Sequence, residues 1–185
     1  VSIGKTNKNI NTMKKIGLFY GPLGGSTERV AKKVAAALGN ENVDLIPAKE
    51  AKSTDVEKYE NVIFGLSTIG KETWESDKSA NDWDIFLPEL DKVDYANKVI
   101  AMFGLGDQIT YDLHFVDALG IVAEKILPKG AKIIGRVSTE AYECRESLAI
   151  IDGKFIGLPV NEDFEPELTD ERVNNWIESI KSELK

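Results

Sequence analysis

The sequence predicts an α/β fold: a three-layer, doubly wound sandwich built on a five-stranded parallel sheet. Three observations predict it. Short, almost wholly apolar runs recur along the chain, as strands buried on both faces require. Segments with apolar residues at helical spacing separate those runs, and strand–helix alternation is the pattern of a parallel sheet covered on both faces. The chain has 185 residues, a length that suits one domain with a full hydrophobic core.

Residues 1–12 are polar, rich in Asn and Lys, and carry no apolar period. They are read as an extension outside the fold, with the domain running over 13–185. Ile16-Gly17-Leu18-Phe19-Tyr20 reads as the first buried strand. Residues 27–38 place Val30, Val34 and Leu38 on one helical face. Residues 43–46 and 61–66 are strands two and three. Trp83, Phe86, Leu87 and Leu90 fit a short helix whose regularity Pro88 limits. Residues 98–103 make strand four. Phe115, Leu119, Val122 and Ile126 stripe a helix that stops before Pro128. Residues 133–137 make strand five, and segment 139–153 interrupts the pattern before a second strand-like run at 154–160. Thr169 is placed to cap a last helix with Val173, Trp176, Ile177, Ile180 and Leu184 inward.

Composition narrows the function. The chain is 42% hydrophobic and 29% charged, values of a globular protein. No apolar stretch has the length of a membrane span, and no basic–apolar–small leader is visible, so neither a membrane nor secretion is expected. Cys144 is the single cysteine; it forms no internal disulfide framework and no cysteine-built metal centre, and it suits a reducing cytoplasm. A net charge of −8 repels phosphate backbones, which argues against nucleic acid. It fits either plain solubility or steering toward basic patches on partner proteins.

In a doubly wound sheet, ligands sit beyond the carboxyl ends of the strands, where the strand order reverses. The loops after strands one, three and four are therefore the candidate site. The first is Gly21-Pro22-Leu23-Gly24-Gly25-Ser26-Thr27-Glu28. Its glycines let backbone approach a ligand, the helix start attracts an anion, and Ser26 and Thr27 add hydroxyl donors. It has neither the Gly-Lys-Ser/Thr ending of a P-loop nor G-x-G-x-x-G. Taken alone, it is as much a Gly-rich turn as an anion cradle. Ser67-Thr68-Ile69-Gly70 follows strand three, and Leu105-Gly106-Asp107-Gln108-Ile109-Thr110-Tyr111 follows strand four. A planar ring could lie between these two loops with Tyr111 on one face. Each loop alone also reads as an ordinary βα turn.

Together the loops carry a resemblance. Tyr20-Gly21, Gly25, Thr27-Glu28 and Val30-Ala31 match the opening signature of the flavodoxin family. The stretch from Phe103 through Tyr111 to Gly120, the run Gly153-Lys154-Phe155-Ile156-Gly157-Leu158 with Asn161-Glu162-Asp163, and the run Leu168 to Val173 with Trp176 resemble long-chain members. Segment 139–153 with its following strand resembles the insertion that defines that subgroup. The likeness runs from about residue 14 to the C-terminus.

The resemblance implies a flavodoxin-like domain that holds FMN non-covalently and carries single electrons at low potential, without catalytic turnover or metal. It implies that Pro22, Leu23, Gly24, Gly25, Ser26 and Thr27 wrap the FMN phosphate without a cationic side chain. Thr68, Ile69 and Gly70 would take the inner face of the isoalloxazine, with Ser67 also counted among the cofactor residues, Tyr111 the outer face, and Leu105, Gly106 and Asp107 the pyrimidine edge. Ile69 stands where tryptophan is common, and Trp74 reads as a loop anchor. The Gly70 peptide would turn to accept the N–H that the ring gains on reduction. His114, counted with the cofactor residues, stands where the family usually has a polar amide, and reads as a solvent-facing helix residue rather than an acid or base. Family members usually carry hydroxyl residues where Pro22 and Gly24 stand. Each missing neutral hydrogen bond costs about 0.5–1.5 kcal/mol, so weaker FMN binding than the family norm is expected. Glu72, Glu75, Asp77, Asp107 and Asp112, on or near the ring loops, would disfavour a second negative charge on the ring. The implied partners are redox enzymes with basic docking patches, such as a flavodoxin reductase or other oxidoreductases, met by a cytoplasmic monomer. The rival readings are an FMN-dependent NAD(P)H oxidoreductase on the same fold, a phospho-receiver domain, which lacks its aspartate after strand three, and a relative that has lost FMN.

Overall fold

A computed structural model describes residues 12–67 and 81–185. The elements follow in the expected order: β1 (Ile16–Tyr20), α1 (Ser26–Leu38), β2 (Val43–Pro47), α2 (Ser53–Val56), β3 (Asn61–Leu66), α3 (Asp82–Phe86), β4 (Val99–Leu105), α4 (Asp117–Ile126), β5 (Lys132–Ile134), β6 (Val137–Ser138), β7 (Ile150–Ile151), β8 (Lys154–Phe155), β9 (Leu158–Val160) and α5 (Thr169–Ile180). The central sheet runs β2-β1-β3-β4-β5, with β9 also on β4, and all these pairs are parallel. The order reverses between β1 and β3, so their carboxyl ends open the crevice.

Alternation along each strand divides the core into two layers. Leu18, Ile63, Ala101 and Phe103 face α1 and α5, where they meet Val30, Val34, Val173, Trp176 and Ile177. Phe19, Phe64, Ile100 and Met102 face the other way, onto Trp83, Phe86, Leu119 and Val122. Because both faces are covered, the inner strands β1, β3 and β4 carry no polar alternation. Phe64, Trp83 and Phe86 form an aromatic knot with ring centroids 5.4–6.3 Å apart. Each such pair adds about 0.5–1.5 kcal/mol beyond its buried area. The Trp83 indole N–H also donates to the Gly65 carbonyl at 3.0 Å, fixing α3 to the end of β3.

The fifth strand is where the expectation needs correcting. Residues 133–137 do not form one strand. β5 pairs with Val99–Ala101 and ends at Ile134, because Gly135 takes φ +79° and turns under the Trp176 indole, where a Cβ would come within 2.5 Å of the ring nitrogen. The chain leaves the sheet, forms a small antiparallel sheet β6-β8-β7, and returns as β9 beside Phe103–Leu105. The run 154–160 is likewise two strands, one in each sheet. Segment 139–153 thus divides the edge strand and hangs over the carboxyl end of β4.

Helix starts also differ in detail. Thr169 does not cap α5. A 3-10 turn at Pro166–Leu168 feeds the helix, so Thr169 is already helical, buried, and its hydroxyl has no partner among the described residues. At the amino end of the central strand β3, buried Asn61 ties the two ends of the described fold. Its amide donates to the carbonyls of Lys14 (3.0 Å) and Lys185 (2.9 Å), and its Oδ1 accepts the Lys185 N–H at 2.9 Å.

Candidate functional site

The register sets Tyr20 beside Gly65 and Gly65 beside Phe103, so the loops after β1, β3 and β4 leave the sheet side by side. The Gly21 N–H donates to the Gly65 carbonyl at 3.3 Å, pinning the start of the first loop to the end of β3. Of the third loop only Ser67, half-buried, is described. Thr68, Ile69, Gly70, Glu72, Trp74, Glu75 and Asp77 lie outside the described residues.

The first loop is built from backbone. The Gly21–Pro22 bond is cis, Leu23 is exposed, and Gly24 has φ +78° with open space around it. Gly25 stands at the N-cap of α1 in extended conformation and offers no side chain to the helix start. The N–H groups of Ser26 and Thr27 consequently have no acceptor among the described residues. The Gly24 N–H is met by a carboxylate, Glu28 Oε2 at 2.6 Å. Lys32 first, and the Gly24 N–H second, hold the Glu28 carboxyl below its ordinary value. Thr27 is buried at the helix start. Arg29 reaches back to donate to Ser26 Oγ at 2.7 Å, so this loop does have a cation beside it.

The loop after β4 is built differently. Leu105 ends the strand half-buried, and the Gly106 N–H donates to the Val160 carbonyl at 3.0 Å. Asp107 turns onto its own loop, its Oδ1 accepting the N–H groups of Ile109 and Thr110 at 2.9 Å each. Burial pushes that carboxyl up, but the Thr110 hydroxyl and the two N–H groups outweigh it and hold it below its ordinary value. Successive turns, Tyr111 N–H to Asp107 O at 3.1 Å and His114 N–H to Tyr111 O at 3.0 Å, lift Tyr111 out with 49% of its surface exposed. Val116 then takes φ +49°, a costly conformation for a β-branched residue, before α4 begins. His114 is solvent-facing but lies in a turn rather than a helix, with Nδ1 3.0 Å from Asp117 Oδ2.

Asp112 does not stand as a bare charge. It forms a two-point ion pair with Arg145, and Arg145 chiefly, by hydrogen bonding, keeps its carboxyl below the ordinary range. It therefore contributes less to the negative field than expected. Three residues with no local signature in the sequence prove central here: Gln108, Arg145 and Glu165. Gln108 is buried, accepts the Glu143 N–H at 2.7 Å and donates to Glu165 Oε2 at 2.9 Å. Their partners lie tens of residues away, beyond any local spacing signal.

A family model described as flavodoxin matches residues 18–176. The chain is a member of the flavodoxin family. Among curated relatives, a flavodoxin of Nostoc sp. is 43% identical over 92% of this chain and 98% of its own length. One from Haemophilus influenzae is 39% identical over 93% of this chain and 97% of its own. Among solved structures, a Fusobacterium nucleatum flavodoxin bound to flavin mononucleotide superposes with a TM-score of 0.82 at 31% identity, covering 94% of this chain and all (100%) of that one. The family's mostly parallel sheet with flanking helices is the fold described above.

Proposed function

We propose that this chain binds one FMN non-covalently at the carboxyl ends of β1, β3 and β4 and carries single electrons between redox enzymes. The observation that carries the proposal is the first loop: free N–H groups at the start of α1, an N-cap without a side chain, and a carboxylate already drawn to Gly24. The described residues fit the group. Gly24, Gly25, Ser26 and Thr27 hold the phosphate by backbone and hydroxyl donors, Arg29 adds positive charge, and Pro22 and Leu23 wall the loop. Pro22 brings no N–H, which leaves the expectation of modest affinity standing. Tyr111 offers a flat, exposed surface for the ring, and the backbone of Leu105, Gly106 and Asp107 borders its polar edge. FMN, once bound, supplies the redox chemistry; the protein's work is to hold it, orient it and limit water around it.

The partners are redox enzymes with basic docking patches, which the net charge of −8 favours through faster encounter. The chain works as a cytoplasmic monomer without turnover of its own. Anaerobic photoreduction of the FMN complex, followed by its visible spectrum, tests the proposal. Two resolved one-electron steps are expected. A single two-electron step, or turnover of NAD(P)H without a partner reductase, would replace the carrier with a flavin enzyme, and absence of FMN binding would remove the cofactor altogether.

A further inference from the structure

We propose that segment 139–153 is a brace for the loop after β4, and that Gln108, Asp112 and Arg145 are positioning residues that hold Tyr111 ready for the flavin ring. This inference rests on the FMN reading above.

Three grips join the segment to the loop. At Asp112, the Arg145 guanidinium takes both carboxylate oxygens, while the N–H groups of Arg145 (2.8 Å) and Glu146 (2.9 Å) share the Asp112 carbonyl. At Gln108, the Glu143 N–H bonds to the amide oxygen, and the amide nitrogen bonds to Glu165. Glu165 is itself held by Arg172 at 2.8 Å, and the Arg172 guanidinium lies 4.6 Å from the Tyr142 ring centroid. At the loop's end, Ser147 Oγ donates to the Phe115 carbonyl at 2.5 Å and the Leu148 N–H to Asp117 Oδ1 at 2.7 Å.

Tyr111 sits in the chain between the first two grips and makes no side-chain hydrogen bond among the described residues. Its height above the sheet is therefore set by its neighbours. Ordering a free loop costs backbone entropy at every residue that is fixed. A loop already ordered by a brace meets that cost on folding rather than on binding, so the stacking surface is preorganised. The two-point Arg145–Asp112 fork fixes direction as well as distance, which a lysine would not do. A buried amide with partners on both sides adds a position that tolerates little drift.

A double-mutant cycle tests this. FMN affinity is measured by quenching of flavin fluorescence in the parent, Arg145→Ala, Tyr111→Ala and the double variant, beside the urea midpoint of each apoprotein. Arg145 is exposed, so its removal should leave the midpoint unchanged. The expected result is a loss of roughly tenfold in affinity on Arg145→Ala when Tyr111 is present, and less than about twofold when it is absent. Arg145→Lys should fall between parent and alanine. Equal losses in both backgrounds, or no loss with FMN still bound, would overturn the brace. Failure of the parent itself to bind FMN would instead overturn the cofactor reading, and the two failures are told apart by that single titration.

Discussion

The loops after β1 and β4 face the same crevice but are made by opposite means. The first is a backbone device. Its conformation comes from Pro22, Gly24 and Gly25, its donors are main-chain N–H groups, and the side chains that reach back into it, Glu28 and Arg29, come from four and three residues away. The second is a side-chain device, held by Gln108, Asp112 and Asp117 to a segment more than thirty residues further on (|i−j| 31–35). An anion needs donors converging on a point, which a helix start supplies locally. A flat ring needs a surface at a set height and tilt, and a wandering loop supplies that only when something distant holds it.

Substitutions should separate the two designs, and the largest effect lies at the seat of the brace. A Cβ on Gly120 would come within 2.1 Å of the Leu148 carbonyl, so α4 admits the segment only because residue 120 has no side chain. Gly120→Ala should cost about 1–3 kcal/mol by overpacking, read as a lower urea midpoint. It should also weaken FMN binding, because the displaced segment carries the grips. Next is Tyr111→Ala, which should lower FMN affinity by about 1–3 kcal/mol, the usual worth of a ring stacked on an aromatic side chain, with the apoprotein midpoint unmoved. Isothermal titration of apoprotein with FMN would measure it.

In the first loop, Gly24→Ala should cost about 1 kcal/mol, since the added Cβ meets open space but φ is +78°. The loss should be the same for FMN and for inorganic phosphate if it acts through the loop's backbone. Arg29→Gln should be smaller still, less than about 1 kcal/mol for an exposed charge, and should flatten the dependence of FMN affinity on salt without affecting riboflavin.

The smallest effect is one of pH. Arg145 depresses the Asp112 carboxyl in the folded protein, so the pair's contribution is complete above about pH 4, the ordinary carboxylate range. It is lost as pH falls through the lowered value. FMN dissociation, compared between parent and Arg145→Ala, should differ by a constant factor from neutral pH down to about pH 5 and converge below pH 4. A constant factor persisting at low pH would mean that the arginine acts otherwise than through Asp112.

Much of the fold was legible because it rests on local rules. The apolar runs at 16–20 and 61–66 have the bounds of β1 and β3, since both strands are covered on both faces and Lys15, Gly21-Pro22, Glu60 and Ser67 mark their limits. The edge strand was not legible. Ile133 to Val137 is apolar enough to continue, and it ends at Ile134 only because Gly135 turns under Trp176, a tertiary contact with no local signature. Thr169 failed as a cap for a similar reason: the preceding Pro166–Leu168 turn already runs into the helix. The first candidate loop could be read from its glycines and hydroxyls. The brace could not, because Asp112 and Arg145 pair across thirty-three positions (|i−j| 33) and look, in sequence, like two more surface charges.

Asn61 gathers Lys14 and Lys185 at the amino end of β3, the opposite end of the strands from the crevice. Strands of five or six residues, at about 3.3 Å each, put roughly 17–20 Å of protein between that knot and the crevice. Anything attached beyond Lys185 therefore hangs behind the molecule. An electrode surface or bead gripping that end would leave the crevice pointing outward, open to whatever diffuses up to it. A reductase fused there would have to swing around the whole domain. With flexible spacers spanning about 5–6 Å times the square root of their length, that swing of some 30 Å calls for about thirty linker residues.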